Sequence, residues 1–380
     1  MCGAPHLQSS WSDDIRATIS LIKGDGIGVD VSEAAMFIAE KAMNKAGIPA
    51  PMIVDIAAGA SYFAETGNDI QPDGEVAAGA ADAIFLGAIG LPEIRHEDGT
   101  EISPHLRLRD RYQLYAGVRP VKAYPNTPMP LANPRASEID LVIIRESTEG
   151  LFYSAAVHRR SKIIDNAVCD ETLRITRATS EKLHNFAFRF ATKRKDKGHK
   201  GQITCVDKAN VFTSMAFFRQ IFDEVGTNYP DIKKTYNYVD AAALDLIRNP
   251  WSADVMVMEN MFGDILSDLA GGLVGGMGMA ACGEIGDQIG LFQPAHGSAP
   301  DIMGQDKANP LAAILSARLM LDYLAEKLDQ PAYRDAAMIL DAAIETGFAL
   351  NRLRPMEFGG NMGTKAVTLT LSSLMDGKMK

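Results

Sequence analysis

The chain has 380 residues, 47% hydrophobic and 23% charged, which is enough apolar material for two lobes sharing a large core and excludes one small domain. A net charge of −10 argues against a nucleic-acid or anionic-membrane partner, since basic residues gather only in a short run at 193–200 that reads as a solvated helix end and loop. Four cysteines (Cys2, Cys169, Cys205, Cys282) show no C-x-x-C pair and no regular spacing, so neither a disulfide framework nor a zinc site is expected, and a reducing cytoplasm fits best.

Residues 1–15 are polar and mixed and are expected to form a loose leader, and no segment reaches eighteen uninterrupted apolar residues. An apolar strand is predicted at 17–22, then a Lys-Gly-Asp-Gly-Ile-Gly turn at 23–28 and an amphipathic helix at 29–46. The turn lacks the G-x-G-x-x-G spacing and carries no Lys-Ser or Lys-Thr, so it is a tight turn and not a Rossmann fingerprint. Further strands are predicted at 52–57, 83–86, 141–145, 202–207 and 255–258, with helical or glycine-rich stretches between them. That alternation implies an α/β fold around a largely parallel sheet. Between 151 and 168 the pattern turns β-rich, with strands predicted at 152–157 and 162–164, and too little apolar helix flanks them to cover both faces. A partner subunit is the economical cover. Helices are predicted at 172–192, 211–222, 309–328 and 333–347.

The strongest local signal is Asn-Met-Phe-Gly-Asp-Ile-Leu-Ser-Asp at 260–268, where Asp264 and Asp268 lie four apart on one helix face. Two like charges so placed read either as a solvated helix start or as a hard-cation site for Mg2+ or Mn2+. The segment resembles the signature of the isocitrate and isopropylmalate dehydrogenase family, the β-decarboxylating dehydrogenases. The resemblance runs from the 23–28 turn to Phe-Gly-Gly-Asn-Met-Gly-Thr-Lys at 358–365.

The resemblance implies a two-lobed, isopropylmalate dehydrogenase-like α/β fold, not Rossmann, with a β-rich intersubunit arm at 151–168. It divides the chain into a discontinuous cofactor-side lobe (16–120 and 270–380) and a substrate and dimerisation lobe (121–269). It also implies a homodimer acting on a small hydroxy-dicarboxylate.

Three arginines match the family's carboxylate clamp: Arg109, Arg119 and Arg145. Arginine suits that task because its planar fork grips a carboxylate with two hydrogen bonds and never loses its charge. Arg107 and Arg111 are expected to face solvent. The catalytic lysine maps to Lys208, and the third metal-binding aspartate to Asp240, which would join Asp264 and Asp268. By resemblance Lys208 and Asp240 reach into a partner's site.

The loop Gln-Pro-Ala-His-Gly-Ser-Ala-Pro-Asp at 293–301, with Asn309, resembles the family's adenosine-binding loop, implying cofactor contacts from His296, Gly297, Ser298, Ala299, Asp301 and Asn309. A carboxylate at Asp301 can accept from both ribose hydroxyls and repels a 2′-phosphate, which favours NAD over NADP. Gln293 replaces the acidic residue usual there.

Ser103 and His105 stand where the family faces the C3 substituent. Ser103 resembles the isocitrate pattern and His105 neither pattern, so tartrate, D-malate and isocitrate remain alternatives to 3-isopropylmalate. The family's catalytic tyrosine falls at Phe152, whose ring cannot donate a proton. Tyr153 is the adjacent candidate, and because successive strand residues face opposite ways, its use requires a bulge or a one-residue shift. A non-catalytic regulatory paralogue is the rival of another class; it should lack metal or base residues, and all of them are present.

Overall fold

The computed structural model describes residues 16–154 and 161–377, so the leader expected at 1–15 lies outside the described residues. The chain opens with β1 (Thr18–Gly24), α1 (Gly28–Lys45), β2 (Met52–Asp55), α2 (Ala60–Thr66), α3 (Gly74–Ala80) and β3 (Ala83–Ala88). Next come α4 (Pro104–Arg111), β4 (Ala116–Lys122), β5 (Asp140–Glu146) and the short strands β6 (Lys162–Ile164) and β7 (Val168–Asp170). The middle alternates α5 (Arg177–Asp196), β8 (Gln202–Asp207), α6 (Thr213–Gly226), β9 (Lys233–Tyr238), α7 (Val239–Arg248), β10 (Val255–Met258) and α8 (Asn260–Gly272). The chain closes with β11 (Ala281–Ile285), β12 (Gly290–Pro294), α9 (Leu311–Lys327), α10 (Ala332–Ala349) and α11 (Thr364–Met375).

Ten strands form one mixed sheet in the order β2-β1-β3-β12-β11-β4-β5-β10-β8-β9. β2, β1, β3 and β12 are mutually parallel, as are β5, β10, β8 and β9. Antiparallel β11 and β4 join these two halves at the centre of the sheet.

The inner strands of each half are buried on both faces, which is why they read as nearly unbroken apolar runs. In β1 and β3, Ile19, Leu21, Ala83 and Phe85 pack with α1, α9, α10 and α11, while Ile22, Ile84 and Leu86 face a smaller core that includes Ala78 of α3 and Leu108 of α4. The other half repeats the arrangement: Val142, Ile144, Val255 and Val257 pack on α5 and α6, and Leu141, Ile143, Met256 and Met258 on α7 and α8. Ala116 and Val118 of β4 belong to this second core, so the boundary expected at 120 falls inside a strand.

The arm departs from expectation. Phe152 to Ser154 form a helical turn, not the start of a strand, and 155–160 lie outside the described residues. β6 and β7 pair antiparallel in a separate two-stranded sheet. Their turn carries Asp165 and Asn166 at φ 49 and 51, the residue types that best tolerate the left-handed pair of a tight hairpin. All six strand residues are exposed. The helix predicted from 172 begins at Arg177, because the Thr176 side chain accepts the Thr179 N–H and caps it there. Among the described residues no helix is long and apolar enough to cross a membrane.

Candidate active site

The site starts from strand register. Glu284 of β11 pairs with Gly117 of β4, and Gly117 pairs in turn with Arg145 of β5, so the three lie in one cross-strand row. Arg119, two residues beyond Gly117, shares its face, because side chains alternate with period two. A Cβ at Gly117 would sit 2.9 Å from Glu284 Oε2, so glycine there leaves room for the acid to lie over the strand. Arg109 joins from the last turn of α4.

Arg109, Arg119 and Arg145 are each at most 6% exposed, and Glu284 is fully buried. Arg109 Nη2 and Arg119 Nη2 both meet Glu284 Oε1 at 3.0 Å. Burial alone would push the Glu284 carboxyl up, but Arg109, Arg119 and Arg145 outweigh it and hold it at about 2. Burial, then Arg119 and Arg109, bring Arg145 down to about 10. Its Nε and Nη2 donate to Asn260 Oδ1 at 3.0 and 2.7 Å, and Nη1 donates to Asp264. Gly263 makes this possible, because a Cβ there would come within 2.6 Å of Arg145 Cγ. Arg107 and Arg111, expected in solvent, are partly exposed but paired, Arg107 with Asp69 and Glu75, and Arg111 with Glu75.

α8 starts where the Glu259 side chain accepts the Met261 and Phe262 N–H groups. It carries Asp264 and Asp268 one turn apart, and burial followed by the Asp264 charge raises the Asp268 carboxyl. Two carboxylates repelling one another, only partly offset by Arg119 and Arg145, are a donor set suited to a hard divalent cation. Lys208, just past the end of β8, donates to Asp240 at the start of α7 and thereby lowers the Asp240 carboxyl. Among the described residues no three ligating side chains gather into a metal cluster, so Asp240 does not join Asp264 and Asp268 within one chain.

The cofactor loop is anchored from two sides. Ile27 N–H donates to the Ser298 carbonyl at 2.7 Å, and Ser298 Oγ donates to the Gly90 carbonyl. Ala299 takes φ 35, and Asp301 lies exposed in a short 3-10 helix. His296 Nδ1 lies 2.9 Å from the Gly297 carbonyl, while its buried Nε2 has no partner among the described residues. Asn309 bonds Glu357 through Nδ2 at 2.9 Å and accepts the Leu311 N–H, so it also starts α9. An orphaned buried nitrogen, Gly297 and an exposed acid in one loop are the kind of groups that take up a dinucleotide. Gln293 is buried on β12.

Ser103 and His105 open α4 beside Arg109. Burial, then Arg109, push His105 down to about 3, so its ring is neutral at ordinary pH, and its Nδ1 is without a partner among the described residues. Phe152 lies against Arg145, whose Cζ is 5.1 Å from its ring centre, whereas Tyr153 stacks under Arg174 at 4.6 Å. The expected choice between opposite strand faces does not arise, because the segment is a helical turn. Sequence reasoning missed Glu284 and Asn260. The only signal for Glu284 was one acid inside an apolar strand.

The isocitrate/isopropylmalate dehydrogenase family matches residues 18–370. The chain is 39% identical to the 3-isopropylmalate/3-methylmalate dehydrogenase of Methanocaldococcus jannaschii, over 91% of this chain and 95% of that one. It is 37% identical to the 3-isopropylmalate dehydrogenase of Carboxydothermus hydrogenoformans, over 86% and 85%. Among solved structures, isocitrate dehydrogenase from Methylococcus capsulatus superposes with a TM-score of 0.80 at 29% identity, covering 94% of this chain and 99% of that one. A β-decarboxylating dehydrogenase from Thermococcus kodakarensis gives 0.75 at 32% identity, covering 95% and 96%.

Proposed function

The chain belongs to the isocitrate/isopropylmalate dehydrogenase family of decarboxylating oxidoreductases acting on a CH–OH group, and from that premise we propose that it oxidises and decarboxylates a malate-type 2-hydroxy acid with NAD and Mg2+ or Mn2+. The observation that carries this reading is the buried convergence of Arg109, Arg119 and Arg145 beside Asp264. Three guanidinium groups out of water have no purpose in the core that apolar residues would not serve better, but they match a substrate bearing two carboxylates.

The arginines bind and orient the carboxylates. Asp264 and Asp268 of one chain, with Asp240 of a second, would hold the divalent ion. That ion supplies Lewis-acid polarisation of the C2 oxygen and of the ketone formed from it. The loop with His296, Gly297, Ser298, Ala299, Asp301 and Asn309 would hold NAD, which supplies the hydride acceptor. Lys208 Nζ of the second chain takes the C2 hydroxyl proton. A homodimer follows from this division. It is supported by apolar side chains left exposed around Lys208, Asp240 and α8, among them Phe212, Leu244 and Ile265. Cys169, Cys205 and Cys282 are free thiols, as a cytoplasmic setting would keep them.

Loss of carbon dioxide leaves C3 needing a proton, which Phe152 cannot give. We assign hydride transfer to the intact machinery and place the delay at decarboxylation or at this protonation, with water as the donor, because the His105 ring expected to share that role is held neutral. Wild type, Phe152→Tyr and Tyr153→Phe are compared by carbon dioxide released per NADH. Wild type should lag and Phe152→Tyr should remove the lag. One carbon dioxide per NADH without lag in wild type and Tyr153→Phe alike would contradict this assignment.

The broader reading is tested with 3-isopropylmalate, D-malate, tartrate and isocitrate, each with NAD and Mn2+, followed at the NADH absorbance. One of the dicarboxylates should turn over. No NADH from any of the four would overturn the reading.

A further inference from the structure

Glu284 is not needed to hold a metal, a dinucleotide or a proton in the reaction above, yet it lies at the centre of the arginine cluster. It is fully buried and ion-paired at 3.0 Å with both Arg109 and Arg119 through one oxygen. A carboxylate between two guanidinium groups is chemically what a substrate carboxylate would be there. Around it, Arg109 Nε, Arg119 Nε and His105 Nδ1 are buried without partners among the described residues, so the cluster still has donors to offer. Its charge is nonetheless one lower than three arginines imply.

Nothing else on α4 restores that charge. Arg107 is tied to Asp69 and Glu75, and Arg111 to Glu75. His105, the side chain beside Arg109 on the same helix, is neutral above about pH 3. Arg145 already faces Asp264 and Asn260.

We propose that Glu284 is a specificity-determining residue: by occupying the carboxylate seat between Arg109 and Arg119 it restricts the site to dicarboxylates whose C3 substituent is uncharged and rejects tricarboxylates. The neutral His105 and Ser103 then face a C3 hydrogen, hydroxyl or alkyl group, and a third carboxylate would meet Glu284 where, among the described residues, Arg109, Arg119 and Arg145 are each already paired with an acid. Like charges brought together out of water cost enough to separate the two ligand classes by about tenfold or more. Glu284 acts through the two arginines and touches no reacting atom. The inference rests on the dehydrogenase reading for the identity of the site, and its test does not depend on turnover.

The test is calorimetric binding of succinate and of propane-1,2,3-tricarboxylate, neither of which can be oxidised at a hydroxyl, to the full chain and to Glu284→Gln with Mg2+ present. Wild type should bind succinate at least about tenfold more tightly than the tricarboxylate. Glu284→Gln, shown folded by its thermal transition, should close that gap. A merely structural Glu284 would weaken both ligands equally and leave the ratio unchanged, which overturns the proposal. So does wild type that binds the tricarboxylate as well as succinate, or binds neither, and this arm decides the matter even if the variant does not fold. Absence of NADH in the substrate panel, with the binding ratio as expected, would instead count against the dehydrogenase reading alone.

Discussion

The centre of the sheet and its β9 edge carry the two parts of the proposed chemistry, and they are built in opposite ways. At the centre, Arg109, Arg119, Arg145 and Glu284 are buried, and each has a charged partner inside the same chain. At the edge, Lys208 pairs with the exposed Asp240. Apolar side chains there face outward: Phe212 is 53% exposed and Leu244 46%. Charges that must be rigid before substrate arrives are fixed by the chain's own strands, where register leaves no freedom. In the proposed dimer, the groups that would complete the site are left on an exposed, partly apolar surface. On the proposed division, the centre is a finished half-site and the edge an unfinished one.

The largest expected effect lies on α8, between the two regions. Asp264→Asn should abolish metal-dependent turnover while the fold survives, because Asp264 is partly exposed and Asn260 still holds Arg145 through two hydrogen bonds. Full activity of chelator-treated enzyme would show that no metal is needed and would remove the reason for pairing the edge with α8.

A smaller effect is expected at the cofactor loop, which resembles the edge in leaving an acid exposed but lies in the lobe of α9 to α11. Asp301 should give NAD an advantage over NADP of about 100-fold in kcat/KM, since a 2′-phosphate would lie beside its carboxylate. Equal values for the two cofactors would mean that another residue neutralises the phosphate.

The smallest effect separates centre from edge by pH. Glu284 is held at about 2, below its ordinary 4.5, so its ionised form stabilises the folded chain. That contribution is complete above about pH 4.5 and is lost as pH falls towards 2. Removing one partner of a buried charge pair costs about 3 kcal/mol. Glu284→Gln should thus unfold at a lower Tm than wild type near neutrality, and the gap should shrink as the medium is acidified below pH 4.5. Asp240→Asn should show a much smaller gap, because its pair with Lys208 is exposed and screened by solvent. A Glu284→Gln gap that stays constant with pH would contradict the ion-pair account.

Much of this was legible in the sequence, and the omissions have physical causes. The strands at 202–207 and 255–258 were read to the residue as β8 and β10, because strands buried on both faces are continuous apolar runs between turn signals. β9 was not read: Lys-Lys-Thr-Tyr-Asn-Tyr is an edge strand whose polar side chains hide its pattern. Phe152 and Tyr153 are β-formers, but the chain makes a helical turn from Phe152 to Ser154, and propensity yields to tertiary context. Arg109, Arg119 and Arg145 stood in motifs. Glu284 stood in none, and only the antiparallel pairing of β11 with β4 shows that its carboxylate meets two of the three arginines.

Mixing two inactive variants tests most directly whether the site is divided between chains. Lys208→Ala removes the edge group and Arg145→Ala the central one, and in either homodimer both sites are broken. If Lys208 serves a partner's arginines, a hybrid dimer holds one site with neither defect. Dissociating and reassociating equal amounts should then restore about a quarter of wild-type activity, because half the dimers are hybrids with one intact site of two. A mixture as inactive as its components, with hybrid dimers shown to form, would place Lys208 and Arg145 in the same chain's site and contradict the account.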